Sequence, residues 1–189
     1  MQRMFRALIL AGVCATAAQL HAFSQSWSAI GAVGIADESS VGLISFSDTG
    51  SVSIRSSVAT GTAQLRYPVV AVGELEQPAS ATNGGTVFCF RLAVRDTGPG
   101  ARVLVTLKSL VLTSGEVLTH GTFDSDAAGL ASTDYNTIDF CHLTDGRGGE
   151  LTDFFSAGES YYVDVKLIKS SSAGNPGLKS VAILSNGSL

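Results

Sequence analysis

Hydrophobic and polar residues alternate with a period of two along most of the chain, and glycine-rich turns interrupt the alternation at short intervals. This alternation predicts β-strands with one buried and one exposed face, and helical spacing is hard to find. Strands are predicted at residues 28–35, 41–47, 51–58, 62–72, 86–95, 101–113, 116–120, 136–143, 160–168 and 178–185. Many short strands without intervening helices predict an all-β fold, an antiparallel β-sandwich of roughly 8–10 strands with Ig-like or jelly-roll-like Greek-key connections.

A first hairpin is predicted in GLISFSDTGSVSIRS, residues 42–56. Asp48, Thr49 and Gly50 form a short loop there, and Gly50 can take the positive φ that such a loop requires. The register sets two apolar pairs on one side of the hairpin, Phe46 with Val52 and Ile44 with Ile54.

A second hairpin is predicted around DTGPG, residues 96–100, which joins the strands at 86–95 and 101–113. Pairing Val94 with Val103 directs the apolar side chains of both strands to one face, which is the core. The same register aligns Leu92 with Val105 and Phe90 with Leu107.

Cys89 and Cys141 lie on strands whose side chains match if the two strands are antiparallel neighbours. With the cysteines opposite each other, the neighbouring pairs are Phe90 with Phe140, Leu92 with Ile138, and Arg91 with Asp139. Apolar side chains then meet apolar ones, and opposite charges meet across the strands. The sequence therefore predicts a cross-strand disulfide and an Arg91–Asp139 ion pair.

This disulfide would close a loop of about 50 residues and stabilise the fold by roughly 4 kcal/mol in the chain-entropy model. The alternative is an inter-sheet bridge of immunoglobulin type. That bridge needs inward-pointing cysteines, whereas Cys89 lies on the face opposite Phe88 and Phe90.

The first 22 residues have the three parts of a secretory signal peptide: the basic start MQRMFR, the apolar run ALILAGVCATAA, and a small residue, Ala22, at the end. Cleavage after Ala22 removes Cys14 and leaves residues 23–189 as a single secreted domain, located outside the cell, on its surface or in the periplasm. An even pair of cysteines in such a compartment favours a disulfide.

The charge balance argues against nucleic acid as a partner. The chain has 12 basic and 16 acidic residues, and loss of Arg3 and Arg6 with the signal leaves a net charge of about −6. No second apolar run of membrane length follows the signal, so no transmembrane segment is predicted in the mature chain.

Two acidic, glycine-containing segments, at residues 121–135 and 144–159, are long enough to be functional loops. Asp124, Asp126 and Asp134 could supply oxygen ligands to calcium, the one cofactor that the sequence suggests. Turn formation explains the same aspartates, because Asp bonds its own backbone in turns.

No catalytic set is recognisable, so an enzyme is not expected. G-x-S-x-G is absent, and only two histidines follow the signal peptide. His120 is predicted as a surface residue at a strand end, and His142 as a half-buried packing residue beside Phe140. Tyr162 is predicted to point outward with Asp164 and Lys166, and a single exposed tyrosine does not make a binding face.

Two functions fit these observations. The first is a structural or surface-associated subunit that self-assembles into a filament or matrix, with the N-terminal segment 23–35 added as a strand to a neighbouring subunit. Its stretch SAIGAVGI contains glycines that pack poorly within a sheet, so it is expected to be a poor partner in its own sheet. The alternative is that this segment is simply the first edge strand of the domain. The second is a monomeric extracellular binding module whose loops 121–135 and 144–159 hold calcium or carbohydrate. The expected partner is another copy of the chain or a cell-surface or matrix component.

Overall fold

A computed structural model describes residues 24–70, 88–149, 151 and 158–185. The strands in these residues are β1 (Ser24–Ile30), β2 (Ile35–Ala36), β3 (Ile44–Phe46), β4 (Val52–Ile54), β5 (Gly61–Pro68), β6 (Phe88–Asp96), β7 (Ala101–Val111), β8 (Val117–Asp124), β9 (Ser132–Phe140), β10 (Glu159–Lys169) and β11 (Gly177–Ser185). One short 3-10 turn, Gly31–Val33, lies between β1 and β2. No helix in these residues is long and apolar enough to cross a membrane.

The strands form two antiparallel sheets packed as a sandwich, which confirms the predicted fold class. The first sheet has the order β3-β4-β11-β6-β9, and β1 also pairs with β11. The second sheet has the order β2-β5-β10-β7-β8. The inward side chains of the central strands form the core, in which Leu92, Val105 and Val165 are fully buried.

The predicted β3–β4 hairpin is present with the predicted register: Ile44 pairs with Ile54 and Phe46 with Val52. Gly50 has a φ of 82°, the left-handed conformation that glycine adopts without strain. Phe46 remains exposed although Val52 is buried, because β3 is the edge of its sheet.

The predicted hairpin between residues 86–95 and 101–113 is wrong. β6 pairs with β9 and β11, whereas β7 pairs with β8 and β10, so the DTGPG turn crosses from one sheet to the other. Val94 and Val103 are both buried, as the alternation requires. The apolar faces of both strands are buried in a hairpin and also when the chain crosses between sheets. Alternation therefore identifies the inner face of a strand but not the strand with which it pairs.

The predicted strand 28–35 is divided between the two sheets. β1 pairs with β11, and β2 pairs with β5. The glycines lie at the crossing: Gly31 packs against the backbone carbonyl of Leu178, where a Cβ would clash. β1 itself contains no glycine and places Trp27, which is 8% exposed, in the core. The expectation that this segment is a poor partner within its own sheet is therefore wrong for β1.

The disulfide joins Cys89 to Cys141 across β6 and the end of β9, as predicted. The flanking register pairs Phe90 with Phe140, Arg91 with Asp139 and Leu92 with Ile138. Cys89 lies on β6, and Cys141 directly follows β9, the neighbouring strand of the same sheet, which excludes the inter-sheet bridge.

Candidate functional site

A groove lies along the open side of the sandwich, between β8 at the edge of the second sheet and β9 at the edge of the first. We call it the β8–β9 groove. Its lining residues are Thr122, Phe123, Asp124, Ala127, Ala128, Ile138, Asp139, Phe140, Cys141 and His142. Its volume of about 550 Å³ falls within the range of small-molecule sites in proteins.

Three aromatic rings follow one another in this groove. Phe123 of β8 and Phe140 of β9 meet edge to face, with ring centroids 6.1 Å apart. His142 lies 5.5 Å from Phe140, also edge to face. Phe123 is buried, whereas Phe140 is partly exposed and His142 is exposed. Phe140 and His142 therefore supply the accessible aromatic surface, and the prediction of a half-buried His142 is wrong.

Two lining carboxylates are each held by an arginine through two hydrogen bonds. Arg91 Nε and Nη2 donate to Asp139 at 2.8 and 2.7 Å. Arg102 Nε and Nη2 donate to Asp124 at 3.0 and 2.5 Å. The hydrogen bonds from the arginines lower the pKa of both aspartates, so both are ionised acceptors at neutral pH.

The structure does not bring the three proposed calcium ligands together. Asp124 and Asp126 both contact Arg102, the latter at 3.6 Å. Asp134 lies on β9, where its backbone amide donates to Ser132 Oγ. Within the described residues, no group of three acidic, histidine or cysteine side chains is arranged to hold a metal ion.

The two predicted acidic loops differ from expectation in their extent. Only residues 125–131 of the segment 121–135 form a loop, because β8 ends at Asp124 and β9 begins at Ser132. In the segment 144–159, Glu150 and residues 152–157 lie outside the described residues. Asp145 accepts backbone hydrogen bonds from Arg147 and Gly149, which lower its pKa and make it a turn residue.

His120 is not a surface residue as predicted, because β8 continues to Asp124 and leaves it in mid-strand, 1% exposed. Its Nδ1 donates to the carbonyl oxygen of Thr144 at 2.9 Å, which leaves Nε2 to accept from Ser109 Oγ at 2.9 Å. Tyr161 covers the ring at a centroid distance of 5.2 Å. The Ser109–His120 hydrogen bond resembles a nucleophile with its base, but both side chains are enclosed, so the pair has no accessible face for a substrate.

Asp164 differs from its predicted exposed position, because it is only 3% exposed on the outer face of the second sheet. It accepts hydrogen bonds from Lys108 Nζ at 2.8 Å and Gln64 Nε2 at 2.7 Å. Tyr162 lies beside it, with the Arg66 guanidinium 5.9 Å from the ring centroid. Alternation in the sequence places Tyr162 and Asp164 on one face of β10. It does not predict the burial of Asp164, because the covering residues belong to β5 and β7, which are distant along the chain.

No protein-family model and no curated protein matches the chain. Among solved structures, it has partial similarity to a family two carbohydrate esterase from Cellvibrio japonicus, with 10% identity, a TM-score of 0.38, and coverage of 86% of this chain and 34% of that one. A structure of carbohydrate-binding modules from the β-sandwich superfamily has 13% identity and a TM-score of 0.37, and the match covers 89% of this chain and 56% of that one. An arabinose-bound α-L-arabinofuranosidase has 18% identity and a TM-score of 0.34, and the match covers 91% of this chain and 25% of that one.

The chain thus spans between a quarter and somewhat more than half of the length of these three structures. Similarity at these TM-scores carries no argument about function, which has to come from the residues of the groove and of the sheet faces.

Proposed function

We propose that this chain is an extracellular binding module that holds a neutral sugar chain in the β8–β9 groove. The observation that carries the proposal is the combination of accessible aromatic rings, Phe140 and His142, with two arginine-bound carboxylates, Asp124 and Asp139, in one groove. The disulfide supports the extracellular setting, because such bonds persist in oxidising compartments.

The chemistry of the groove favours a ligand that is polyhydroxylated and uncharged. An aromatic ring packs against the C–H face of a sugar, and a carboxylate accepts hydrogen bonds from its hydroxyl groups. Each oxygen of the Asp139 carboxylate accepts from one arginine nitrogen and retains a lone pair, whereas Asp124 Oδ1 also accepts from the backbone amide of Asp126. Because Arg91 and Arg102 compensate the charge of Asp139 and Asp124, the groove offers acceptors without a net charge that would select a cation.

Self-assembly through the N-terminal segment has less support than binding in the groove. β1 already pairs with β11 of its own chain, and Trp27 is part of the core. Donation of this strand to a neighbouring subunit would open the sheet and expose the indole. We therefore place the binding module ahead of the filament subunit that the sequence also suggested.

Isothermal titration calorimetry with cellohexaose, xylohexaose and laminarihexaose tests the proposal. We expect at least one of these oligosaccharides to bind, and Phe140→Ala to weaken its binding by about tenfold or more, since an aromatic anchor contributes about 2 kcal/mol. Phe46→Ala is the matched control, because Phe46 is an exposed phenylalanine on β3, at the opposite edge of the first sheet from β9.

His142→Ala separates loss of binding from loss of folding. Its side chain is exposed, so the variant should retain the melting temperature of the wild type and still bind more weakly. Binding that is unchanged in both Phe140→Ala and His142→Ala would place the sugar elsewhere and overturn the proposed site. Absence of binding to all three oligosaccharides would overturn the proposed ligand class.

A further inference from the structure

The outer face of the second sheet carries a compact group of charged residues that the groove does not use. Arg66 of β5 pairs with Asp164 of β10, and Lys108 of β7 pairs with Tyr162 of β10. Lys166 follows Asp164 by two positions and therefore lies on the same face. We call Arg66, Lys108, Tyr162, Asp164 and Lys166 the β10 platform.

The platform is positively charged on a chain whose net charge is −4. Three of its residues are cations and one is an anion. Lys108 Nζ lies 2.8 Å from a carboxylate oxygen of the buried Asp164 and neutralises its charge. Gln64 Nε2 donates a hydrogen bond to the other oxygen. Neither Arg66 nor Lys166 has a nitrogen within 4.0 Å of a carboxylate oxygen of another described residue, although the charge of Arg66 contributes to the lowered pKa of Asp37. Arg66 and Lys166 therefore present their cationic groups on the outer face of the sheet, beside the Lys108–Asp164 ion pair.

Tyr162 places aromatic surface next to these cations. Its ring is partly exposed, and the Arg66 guanidinium lies 5.9 Å from the ring centroid. Next to Asp164, the hydroxyl of Thr106 of β7 shares a hydrogen bond of 3.1 Å with the hydroxyl of Thr122 of β8, which also lines the β8–β9 groove. The cations therefore lie beside a ring that can pack against a sugar, on a sheet face that also presents hydroxyl groups.

We infer that the β10 platform binds an acidic polysaccharide, in which sugar rings pack on Tyr162 while carboxylate or sulfate groups contact Arg66 and Lys166. Arginine binds both groups through two parallel hydrogen bonds, and lysine supplies a point charge. An open sheet face suits an extended chain, because it does not enclose the ends of its ligand. This second site is independent of the neutral sugar proposed for the groove.

Affinity electrophoresis in native gels tests the inference with polygalacturonate and dextran sulfate as probes and uncharged dextran as the reference polymer. We expect the acidic polymers to retard the protein more than dextran does, and the retardation to decrease as salt is added, because exposed charges are screened. The double variant Arg66→Gln/Lys166→Gln should raise the apparent dissociation constant by about tenfold.

The matched control is Arg147→Gln/Lys179→Gln, which removes the same charge from exposed positions outside the platform. It should bind the acidic polymers as the wild type does, and His142→Ala in the groove should also leave this binding unchanged. Both double variants should keep the wild-type melting temperature, since they change exposed or partly exposed side chains only.

Three outcomes would overturn the inference. The first is equal retardation by dextran and by both acidic polymers. The second is an equal loss of binding in the two double variants, which would indicate an effect of net charge alone. The third is binding to vesicles of phosphatidylglycerol and phosphatidylcholine without binding to either acidic polysaccharide, which would indicate a lipid surface as the ligand. None of these outcomes bears on binding of neutral oligosaccharides in the groove.

Discussion

Cys89 of β6 and Cys141 at the end of β9 are bonded across neighbouring strands of one sheet, 52 positions apart in the chain. β9 is an edge strand with β6 as its partner in the sheet, so the disulfide holds the strand that forms one wall of the β8–β9 groove. Cys141 itself lines the groove. The covalent bond therefore connects the stability of the sandwich to the shape of its candidate site.

Replacing both cysteines, Cys89→Ala with Cys141→Ala, should lower the free energy of unfolding by about 4 kcal/mol, the loop-closure entropy that the bond removes from the unfolded chain. Guanidinium chloride unfolding monitored by circular dichroism measures the change. Reduction of the wild type should produce a similar loss, and the double variant should not respond to the reductant. A loss well below 1 kcal/mol would show that the bond does not constrain the unfolded chain.

The Arg91–Asp139 ion pair should stabilise the fold in a pH-dependent manner. The pKa of Asp139 is lowered by its hydrogen bonds to Arg91, so the pair contributes above the ordinary aspartate pKa of about 3.9 and loses its contribution as pH falls through the lower pKa of the folded state. Both side chains are well exposed, which limits the contribution to about 1 kcal/mol or less.

We therefore expect Asp139→Asn to be less stable than the wild type at about pH 7 and equally stable at about pH 2. Denaturant unfolding at both pH values tests this. Asp48→Asn is the control, because Asp48 lies in the β3–β4 turn and forms no ion pair with a described residue. A difference that persists at the lower pH would mean that the substitution acts through something other than the ion pair.

His120 should make the fold sensitive to mild acid. Burial lowers its pKa, partly opposed by the Thr144 carbonyl, Glu159 and Asp145, so the unfolded chain takes up a proton at a higher pH than the folded chain. Stability contributed by the neutral imidazole is complete above about pH 6.5 and is lost as pH falls through the lower pKa of the folded state.

His120→Gln should flatten the dependence of stability on pH between about 7 and 5, and should cost about 1–3 kcal/mol at pH 7 because buried hydrogen bonds to Ser109 or Thr144 are lost. His142→Gln is the matched control, since His142 is exposed. If His120→Gln retains the wild-type slope of melting temperature against pH across this range, His120 is not the source of the acid sensitivity.

Trp27 tests whether β1 belongs to the sheet of its own chain. Trp27→Ala should cost about 3–5 kcal/mol, because it removes a large side chain from the core. Ile30→Ala, on the same strand but with a side chain that is 50% exposed, should cost far less. Equal and small effects in both variants, together with oligomers in light scattering, would support strand donation instead.

Alternation in the sequence identifies the inner face of β6 and β7, whereas the β6–β9 register also needs the cysteines and a charged pair. In that register four pairs had to match at once, the cysteines, Phe90 with Phe140, Leu92 with Ile138, and Arg91 with Asp139. Three apolar pairs alone, such as Val94 with Val103 and its two neighbours, do not distinguish a hairpin from two strands in opposite sheets. The partner of β6 was therefore predictable only where polar and covalent pairs added to the apolar ones.

The candidate sites were harder to predict, because they depend on contacts between distant strands. The groove arises where β8 and β9 end their respective sheets, and no local pattern around Phe140 or His142 signals that position. Asp164 is buried by Lys108 and Gln64, which lie 56 and 100 positions away in the chain. Sequence proximity to other aspartates predicts Asp124 as a calcium ligand, whereas its observed partner, Arg102, precedes it by 22 positions.

Whether the β8–β9 groove binds a neutral sugar chain can be measured by titrating the isotope-labelled protein with cellohexaose, xylohexaose and laminarihexaose. Two-dimensional NMR spectra then follow the amide chemical shifts. We predict that at least one oligosaccharide shifts the amides of residues 122–128 and 138–142, with those of β3 unchanged. Shifts confined to other parts of the chain, or no shifts with any of the three oligosaccharides, would contradict the claim.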